Sequence, residues 1–395
     1  MKKKINVALV GLSFGMEFIA IYVKHPDVDK VYAVDLNEDL LRIARDRYNI
    51  PQDRCFKDIQ AVLDNPEVDA VHLVTPPASH APLSIRVLNA GKHCGCTIPM
   101  GMSIEELEGV IAARKKSGKN YMFMETTVFQ REFLYVQELM KKGEMGRLQY
   151  MSCAHHQDME GWPSYWDGFP PLMHPTHAVA PCLMLSERLP KQVYGRGSGR
   201  VRDELTKQYG CPFAFEAAFI SLQDSDVTIE MQRFLYGVAR SYEECFSVYG
   251  EKKSFEWQQL KDEDPVLFTR TGGWRMVPGV SLDGTSKLRP RGGEIIAERI
   301  KVPDYAHLLP KEIAGFTYNT VYNNENTHLS FTQGGGHGGS HPHLVHEFVR
   351  SILEERPSSL DDIMGAYWTG TGICAHLSAM QGGIVMDIPD FEKLR

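Results

Sequence analysis

The feature that most constrains this chain is an alternation of short apolar runs with amphipathic segments over residues 5–125. The apolar runs are typical of buried strands and lie at Ile5–Val10, Lys30–Leu36, Val68–Thr75, Lys92–Cys96 and Asn120–Glu125. The segments with helical spacing lie at Gly15–Lys24, Glu38–Tyr48, Ala81–Ala90 and Ile104–Ser117. Strands that alternate with such helices predict a doubly wound parallel sheet with helices on both faces, an α/β fold.

A different pattern begins after about Arg131, where a helix is expected at Phe133–Lys142. Strand-like segments then follow one another with little helix between them. They lie at Leu148–His156, Gln192–Gly197, Phe213–Leu222, Val227–Phe234, Tyr242–Val248, Ser254–Gln258 and Pro265–Arg270. This succession predicts a large open, mostly antiparallel sheet, so we expect an α/β domain at residues 1–125 and an α+β domain at residues 126–395.

The last third of the chain has two parts that differ in composition. Residues 271–327 are rich in Gly, Pro and polar residues and are expected to form an irregular excursion or lid. Two helices then close the chain and can pack back toward the first domain. One carries an apolar stripe that includes Leu344 and Phe348, and the other covers Asp361–Gln381.

Composition narrows the class of protein. The 395 residues are 43% hydrophobic and 24% charged, which is typical of a globular protein of two domains, and the net charge of −7 argues against nucleic acid and anionic membranes as partners. No apolar run approaches the roughly 20 residues that span a bilayer. Of eight cysteines only Cys94 and Cys96 are close together, so reduced thiols in a cytoplasmic protein are expected.

A glycine-containing turn follows the first strand and reads Gly11-Leu12-Ser13-Phe14-Gly15-Met16. It is a degenerate GxGxxG, with Ser13 and Met16 at the positions of the second and third glycines. A pyrophosphate would lie on the free N–H groups at the start of the next helix. Asp35, at the end of the second strand, can accept hydrogen bonds from a ribose and repels a 2′-phosphate, so NAD is favoured over NADP. Its alternative role, capping the next helix, stays open.

A second loop, Thr75-Pro76-Pro77-Ala78-Ser79-His80, follows the third long apolar run. Its prolines fix the backbone and remove N–H donors, which leaves an apolar wall suited to a nicotinamide or a ribose. His80 would then open the next helix. A plain strand-to-helix turn is the alternative interpretation.

The order of these motifs resembles the glucose–fructose oxidoreductase and inositol dehydrogenase family, over nearly the whole chain. The resemblance implies an N-terminal Rossmann domain, a C-terminal open sheet, bound NAD, and redox chemistry on ring hydroxyls of sugars or inositols. It implies that the cofactor is contacted by Gly11, Ser13, Phe14, Gly15, Met16, Asp35, Thr75, Pro76, Pro77, His80, Thr97 and Pro99.

The chain departs from that family at two motifs. Where the family carries Glu-Lys-Pro, this sequence reads Thr97-Ile98-Pro99, and Ile98 can neither donate nor accept a proton. The run from Pro175 to Ala180 keeps a histidine, His177, but lacks the family's aspartate. Both departures resemble a branch that contains NAD-dependent glycoside hydrolases, which form a transient 3-keto sugar. The catalytic tyrosine of that branch falls on Phe129, which disfavours a complete hydrolytic cycle.

Histidines supply the candidate proton acceptors for hydride chemistry, because a neutral imidazole titrates in the useful pH range. His177 is the main candidate for the catalytic base, and His174, three residues earlier, can share its helix face. His155 and His156 lie on opposite faces of a strand, so only one of them can face the cleft. We expect His174 or His156 to hold the tautomer of His177 or to contact a neighbouring hydroxyl.

The substrate pocket is expected to include aromatic and polar side chains that can contact a sugar, although simple loop packing is an alternative. These are Trp162, Tyr165, Trp166, Asp158 and His337. The histidines of both segments could bind a metal, but their spacing matches no strong zinc motif, so no metal is expected.

These observations favour an NAD-dependent dehydrogenase that oxidises a ring secondary hydroxyl of a sugar or glycoside, at C3, to a 3-keto sugar. A redox-neutral NAD-dependent glycosidase or lyase is the alternative enzyme. A non-catalytic sugar or nucleotide sensor is a third reading, motivated by Ile98. Apolar residues on both faces of the strand that contains Phe219 predict a homo-oligomer formed through the second sheet.

Overall fold

A six-stranded parallel sheet, with strand order β3-β2-β1-β4-β5-β6, forms the N-terminal part of the computed structural model. The structure describes residues 4–260, 262–273, 275–280, 283–318, 320–321 and 332–395. The strands are β1 (Ile5–Val10), β2 (Val28–Val34), β3 (Cys55–Phe56), β4 (Ala70–Leu73), β5 (His93–Cys96) and β6 (Tyr121–Phe123). The helices are α1 (Met16–Lys24), α2 (Glu38–Tyr48), α3 (Gln60–Leu63), α4 (His80–Asn89) and α5 (Ile104–Ser117). The doubly wound sheet predicted from the alternation is confirmed.

Local sequence explains these elements. All six residues of β1 are buried, as expected for a strand that is covered by helices on both faces. Helix α5 begins after Ser103, whose side chain accepts the N–H of Glu106, and it ends at Gly118 in the left-handed region. Because all six strands are parallel, their carboxyl ends meet at one edge of the sheet, where ligands bind in folds of this class.

A nine-stranded sheet follows, in the order β16-β13-β12-β11-β7-β10-β9-β8-β19. Only its β7–β10 pair is parallel, so the sheet is mostly antiparallel, as predicted. Its strands are β7 (Leu148–His156), β8 (Pro190–Ser198), β9 (Phe215–Leu222), β10 (Thr228–Phe234), β11 (Glu243–Gly250), β12 (Lys253–Glu256), β13 (Val266–Thr271), β16 (Glu294–Arg299) and β19 (Val385–Asp387). The accompanying helices are α6 (Arg131–Lys141), α7 (Thr176–Ser186), α8 (Thr206–Tyr209), α9 (Lys311–Ala314), α10 (Gly336–Gly339), α11 (His341–Leu353) and α12 (Asp362–Met380).

One face of this second sheet is covered and the other is open. Helix α7 packs on β7 and helix α12 packs on β8. Along β9 the burial alternates, so that Ala218 and Ile220 are buried while Phe219 between them is 49% exposed. The closing helices also contact the first layer, α11 against α1 and α12 against α5.

The expected irregular excursion at residues 271–327 is corrected in part by the structure. A hairpin of β14 (Arg275–Val280) and β15 (Ser286–Arg291) lies there, and β16 extends the large sheet. These strands were not predicted because their Gly and Pro residues are typical of turns and interrupt the alternation that marks a strand. The short β17 (Thr320–Val321) pairs with β18 (Thr332–Gln333), and residues 322–327 lie outside the described ranges.

Two further findings bear on the class of protein. All eight cysteines are free thiols, and six of them are buried. Among the described residues, we find no helix whose length and hydrophobicity would let it cross a membrane.

Candidate active site

A row of charged and polar side chains crosses four neighbouring strands of the second sheet. In the strand register Arg233 of β10 lies opposite both Glu216 of β9 and His155 of β7, and His155 lies opposite Glu244 of β11. All four side chains are buried, between 0% and 4% exposed. On their strands they lie on the same face as core residues such as Phe246. The sheet therefore carries a row of polar side chains on the face where apolar residues are expected.

His177 lies above this row, in the first turn of α7, between two carboxylates. Its Nδ1 lies 2.7 Å from Oε1 of Glu125, and its Nε2 lies 3.6 Å from Oε1 of Glu244. Glu125 follows β6 at the carboxyl edge of the parallel sheet. Thr127 donates its N–H and its hydroxyl to Oε1 of Glu125, each at 2.9 Å, and so fixes that carboxylate. A histidine from the second half of the chain is thereby held at the edge of the first sheet.

Electrostatics favour a charged pair at this position. Burial by itself lowers the pKa of His177, but the carboxylates of Glu125 and Glu244 outweigh it and raise that pKa. Burial raises the pKa of Glu125, but the charge and hydrogen bond of His177 outweigh burial, with help from Thr127, and the pKa of Glu125 is lowered. The pair can therefore hold a proton between its two members.

The C-terminal segment adds a second imidazole to Glu244. Nε2 of His337 lies 3.4 Å from Oε1 of Glu244, and Nδ1 of His337 lies 2.8 Å from Nε2 of His341. Gln130 donates its amide to Oε2 of Glu244 at 2.7 Å, and the Tyr242 hydroxyl donates to Oε1. Hereafter we call His177, Glu244 and His337, with Glu125 behind them, the histidine cluster.

Two more histidines border the histidine cluster. The rings of His155 and His174 lie 5.1 Å and 5.4 Å from the ring of His177. Burial, and then the charge of Arg233, holds the pKa of both well below the usual range, so both are neutral. His156, which we expected to assist His177, points to the other face of β7 and packs on Phe234. The strand alternation thus brings His155, not His156, to the cluster.

The glycine turn has the geometry of a nucleotide-binding loop. Gly11 has a φ of 89°, and a Cβ there would collide with the carbonyl oxygen of Val74. A Cβ at Gly15 would collide with the carbonyl oxygen of Gly11. Ser13 and Phe14 are exposed on the turn, and Met16 opens α1. Glycine at these two positions therefore lets the turn between β1 and α1 close tightly, which fits a pyrophosphate of NAD at the start of α1.

Asp35 is tied to this turn. Its Oδ2 accepts the N–H of Leu12 at 2.6 Å, and its Oδ1 accepts the N–H of Asn37 at 2.8 Å. The cap of α2 is Asn37, whose side chain accepts the N–H of Asp39. The alternative role of Asp35 as that helix cap is therefore wrong. Its carboxylate lies beside the glycine turn, in the place that suits a ribose.

The Thr-Pro-Pro loop is fixed by His80. This ring is buried, with Nδ1 2.6 Å from the carbonyl oxygen of Pro99 and Nε2 2.6 Å from that of Thr75. The expectation that His80 contacts the cofactor is corrected, because both of its nitrogens are occupied by backbone carbonyls. Thr97 donates its hydroxyl to Leu73, and buried Pro77 and Pro99 shape the two loops, while Pro76 is exposed at the edge.

Phe14 connects the glycine turn with the histidine cluster. Its ring lies 5.6 Å from the ring of His337 and 6.0 Å from that of His341. Ile98 is buried and apolar. Phe129 is packed against the core. The glycine turn and the histidine cluster therefore lie next to each other.

The predicted sugar-contacting residues are divided by the structure. Trp166 is buried, with its ring 5.3 Å from that of His174, and Tyr165 packs 5.6 Å from Trp166. Trp162 is 47% exposed, and exposed Asp158 accepts the N–H of Glu160. His337 thus belongs to the histidine cluster and Trp166 packs on His174, which borders it, whereas Trp162 and Asp158 lie at the surface of the intervening loop.

Sequence reasoning missed Glu125, Glu244, Gln130, Tyr242 and Arg233 as members of the site. Two signals were present. Glu125 follows the end of a strand of the parallel sheet, where ligands bind in this fold. Glu244 and Arg233 interrupt the apolar phase of their strands, and a charge in that phase is rarely buried without a purpose.

Comparisons with known proteins agree with the fold. Residues 5–125 match the family described as "Oxidoreductase family, NAD-binding Rossmann fold". Levoglucosan dehydrogenase in complex with NADH has a TM-score of 0.72 at 16% identity, covering 98% of this chain and 100% of that one. Scyllo-inositol dehydrogenase of Lactobacillus casei, with bound NAD(H) and scyllo-inositol, has a TM-score of 0.68 at 17% identity, covering 98% and 99%. Identities this low show the shared fold.

Curated relatives are matched over a shorter stretch. A "Glycosyl hydrolase family 109 protein" of Stenotrophomonas maltophilia is 24% identical over 169 residues, 40% of this chain and 37% of the relative. An "Alpha-N-acetylgalactosaminidase" of Shewanella oneidensis is 27% identical over 135 residues, 30% of this chain and 29% of the relative. The match thus spans about a third of each relative. Residues 5–125 of this chain are thus similar to the oxidoreductase family with the NAD-binding Rossmann fold.

Proposed function

We propose that the protein is an NAD-dependent dehydrogenase that oxidises a ring secondary hydroxyl of a sugar or glycoside, at C3, to give a 3-keto sugar. One observation carries the proposal. His177, held at 2.7 Å by the buried Glu125, lies at the same edge of the parallel sheet as the glycine turn. A buried group that can exchange a proton, next to a nucleotide site, is what oxidation of an alcohol requires.

Different residues along this edge would bind different parts of NAD. The backbone around Gly11 and Gly15 would bind the pyrophosphate, and Asp35 the ribose. Phe14, in ring contact with His337, marks where the glycine turn reaches the histidine cluster. The nicotinamide, when bound, supplies the hydride acceptor for the reaction.

The reaction needs a proton and a hydride to leave the same alcohol. The hydroxyl proton would pass to the histidine cluster while the C–H hydride leaves toward the cofactor, so the alcohol becomes a ketone by loss of two electrons and two hydrogens. His177 is the imidazole we assign to the hydroxyl. Neutral His155 and His174 border the pocket and can contact further sugar hydroxyls, and Trp166 offers an apolar wall.

The direct test is to mix the protein with NAD and a panel of glycosides and inositols, and to follow absorbance of the reduced nicotinamide. A keto product identified by mass spectrometry is expected, together with reduced cofactor. His177→Ala should abolish turnover while keeping NAD affinity, whereas His156→Ala, on the opposite face of β7, should keep both. Absence of reduced cofactor with every substrate, even at stoichiometric enzyme, would refute the proposal.

A redox-neutral NAD-dependent glycosidase or lyase is the second candidate. It is favoured by the names of the curated relatives, and by Tyr242, whose hydroxyl on Glu244 offers the phenol that Phe129 lacks. Cleavage of a glycosidic bond without net change in NAD would support it, and a keto product with an intact glycosidic bond would exclude it. A sensor, the third candidate, would keep its ligand response in His177→Ala.

A further inference from the structure

We propose that His177, Glu244 and His337 bind a divalent transition-metal ion. The catalytic role that we give to this ion rests on the proposed function, whereas the binding of the ion does not. The two histidine nitrogens and one carboxylate oxygen all lie within 4.8 Å of one another. Two histidines and a glutamate, with one position left open for a ligand, are the donor set of catalytic zinc sites.

The distances fit an ion of this class. Oε1 of Glu244 lies 3.6 Å from Nε2 of His177 and 3.4 Å from Nε2 of His337. A tetrahedral ion with bonds of about 2.0–2.2 Å separates neighbouring ligand atoms by about 3.4 Å. The ligand atoms therefore already have nearly the spacing that a bound ion would impose.

Each ligand is oriented by a hydrogen-bond partner on the side away from the proposed ion, as in preorganised metal sites. Glu125 binds Nδ1 of His177 at 2.7 Å, which leaves Nε2 of that ring facing Glu244. His341 binds Nδ1 of His337 at 2.8 Å and does the same for the second imidazole. Gln130 donates to Oε2 of Glu244 at 2.7 Å, and the Tyr242 hydroxyl donates to Oε1, the oxygen that faces the two rings.

The buried charges at the site also favour a bound cation. Glu125 and Glu244 are both buried, and they face each other across His177. Arg233 donates instead to the carbonyl oxygens of His155, His174 and Phe234 and to Gln157. A divalent ion would balance the two carboxylates. Because it would take Nε2 of His177, His177 would then act on the sugar hydroxyl through the ion, whose open position would bind that oxygen and lower the pKa of the hydroxyl, so that the proton leaves for solvent.

A second group of donors, Cys211, Glu216 and His376, provides the matched control. Their ligand atoms also lie within 4.8 Å of one another. Glu216 is held on both oxygens, since Oε1 lies 2.8 Å from Nδ1 of His376 and Oε2 accepts the N–H of Leu172 at 2.8 Å. Cys211→Ser removes the softest donor of that group and leaves the histidine cluster unchanged.

The test measures metal binding without substrate. The full-length protein, freed of any affinity tag, is stripped with a chelator and titrated with Zn²⁺ and, for its visible spectrum, with Co²⁺. We expect one saturable ion per chain and a Co²⁺ spectrum of low coordination number. His337→Ala and Glu244→Gln should weaken binding by at least roughly 100-fold, since loss of an orienting partner alone weakens it 10–100-fold. Cys211→Ser and His156→Ala should bind as the wild type does.

Several outcomes would overturn the site: no saturable binding, binding unchanged in both His337→Ala and Glu244→Gln, or binding lost only in Cys211→Ser. Circular dichroism and thermal melting identify any variant that fails to fold, and the second ligand variant then decides. An ion that binds without any NAD reduction would keep the site and refute the proposed function. Full NAD reduction by the chelator-stripped protein would keep the function and refute the role of the ion.

Discussion

Nδ1 of His177 lies 2.7 Å from Oε1 of Glu125, although the two residues come from different layers of the fold. Glu125 follows β6 at the carboxyl edge of the parallel sheet, and His177 is in the first turn of α7, which packs on the antiparallel sheet. The hydrogen bond thus connects the layer that carries the cofactor turn with the layer that carries the other polar groups.

Replacing Glu125 by Gln tests this connection. The amide keeps the shape of the side chain but loses the charge that raises the pKa of His177. We expect NAD reduction to slow by roughly 10–100-fold, the usual effect of losing an orienting carboxylate, with NAD affinity unchanged. Steady-state kinetics and a cofactor titration measure both quantities. Exposed Glu105→Gln is the control, and a wild-type rate in Glu125→Gln would contradict the role given to this pair.

Asp35 should determine the choice between NAD and NADP. Its carboxylate lies beside the glycine turn and would repel a 2′-phosphate. In Asp35→Ser combined with Leu36→Arg, at the exposed neighbouring position, we expect the ratio of NAD to NADP affinity to fall by at least about tenfold, or about 1.4 kcal/mol. Fluorescence titration with both cofactors measures the ratio. An unchanged ratio would show that the ribose lies elsewhere.

The buried Arg233 should be important for stability. It donates hydrogen bonds to three carbonyl oxygens and to Gln157. Arg233→Met would leave these acceptors unpaired, so we expect the free energy of unfolding to fall by roughly 2–4 kcal/mol. Urea denaturation measures this change. Arg200→Met, at a 77% exposed side chain, should change stability by less than about 0.5 kcal/mol; equal effects of both substitutions would contradict the account.

Acid should destabilise the protein through buried neutral histidines such as His25. Nε2 of His25 lies 3.0 Å from Nδ1 of His346, and its Nδ1 accepts the N–H of Asp27. Burial, and then the charge of His346, lower the pKa of His25 from 6.5 to about 4. Asp27 has a smaller raising effect on this pKa and Arg350 a smaller lowering effect. The folded pKa is below the unfolded one, so the unfolded chain takes up the proton first. The contribution is complete above pH 6.5 and is lost as the pH falls toward about 4.

Thermal melting across this pH range checks the direction. Each unit of pKa difference corresponds to about 1.4 kcal/mol, so wild-type stability should fall clearly over the range. His25→Gln should be less stable than the wild type at neutral pH and should lose less on acidification. A parallel pH dependence in the two proteins would exclude His25 as a source of the effect.

The open face of the second sheet should mediate association between copies of the chain. Phe219 is 49% exposed and lies opposite Tyr194, which is 38% exposed, on the neighbouring strand. Exposed apolar side chains on neighbouring strands of an open face favour a homo-oligomer. We expect light scattering to report a dimer or larger for the wild type and a smaller species for Phe219→Glu. Leu260→Glu, elsewhere on the surface, is the control; a monomeric wild type would contradict the prediction.

Periodicity made the architecture predictable. The alternation of strands and helices gave the parallel sheet, and the helix expected at Asp361–Gln381 is observed at Asp362–Met380. The β14–β15 hairpin was missed because its Gly and Pro residues resemble a loop. The parallel pairing of β7 with β10 was not predicted either, since pairing depends on contacts between distant segments.

The candidate site was only partly predictable, for the same reason. His177 and the glycine turn are recognisable from local sequence. The contact of His177 with Glu125 and Glu244 joins three segments that lie far apart in the chain, and no local pattern encodes it. The choice between His155 and His156 depended on which face of β7 is covered by α7. The role of His80 depended on two carbonyl oxygens that only the folded loops bring to its ring.

The most direct test of the central claim follows a hydrogen atom from the sugar to the cofactor. A glycoside carrying deuterium at C3 is mixed with the NAD-loaded protein in a single turnover, and the nicotinamide and the sugar are analysed by mass spectrometry. We predict deuterium in the reduced nicotinamide and a 3-keto sugar in equal amount, both absent in His177→Ala. A nicotinamide without label, across a panel of glycosides and with NAD demonstrably bound, would contradict the account.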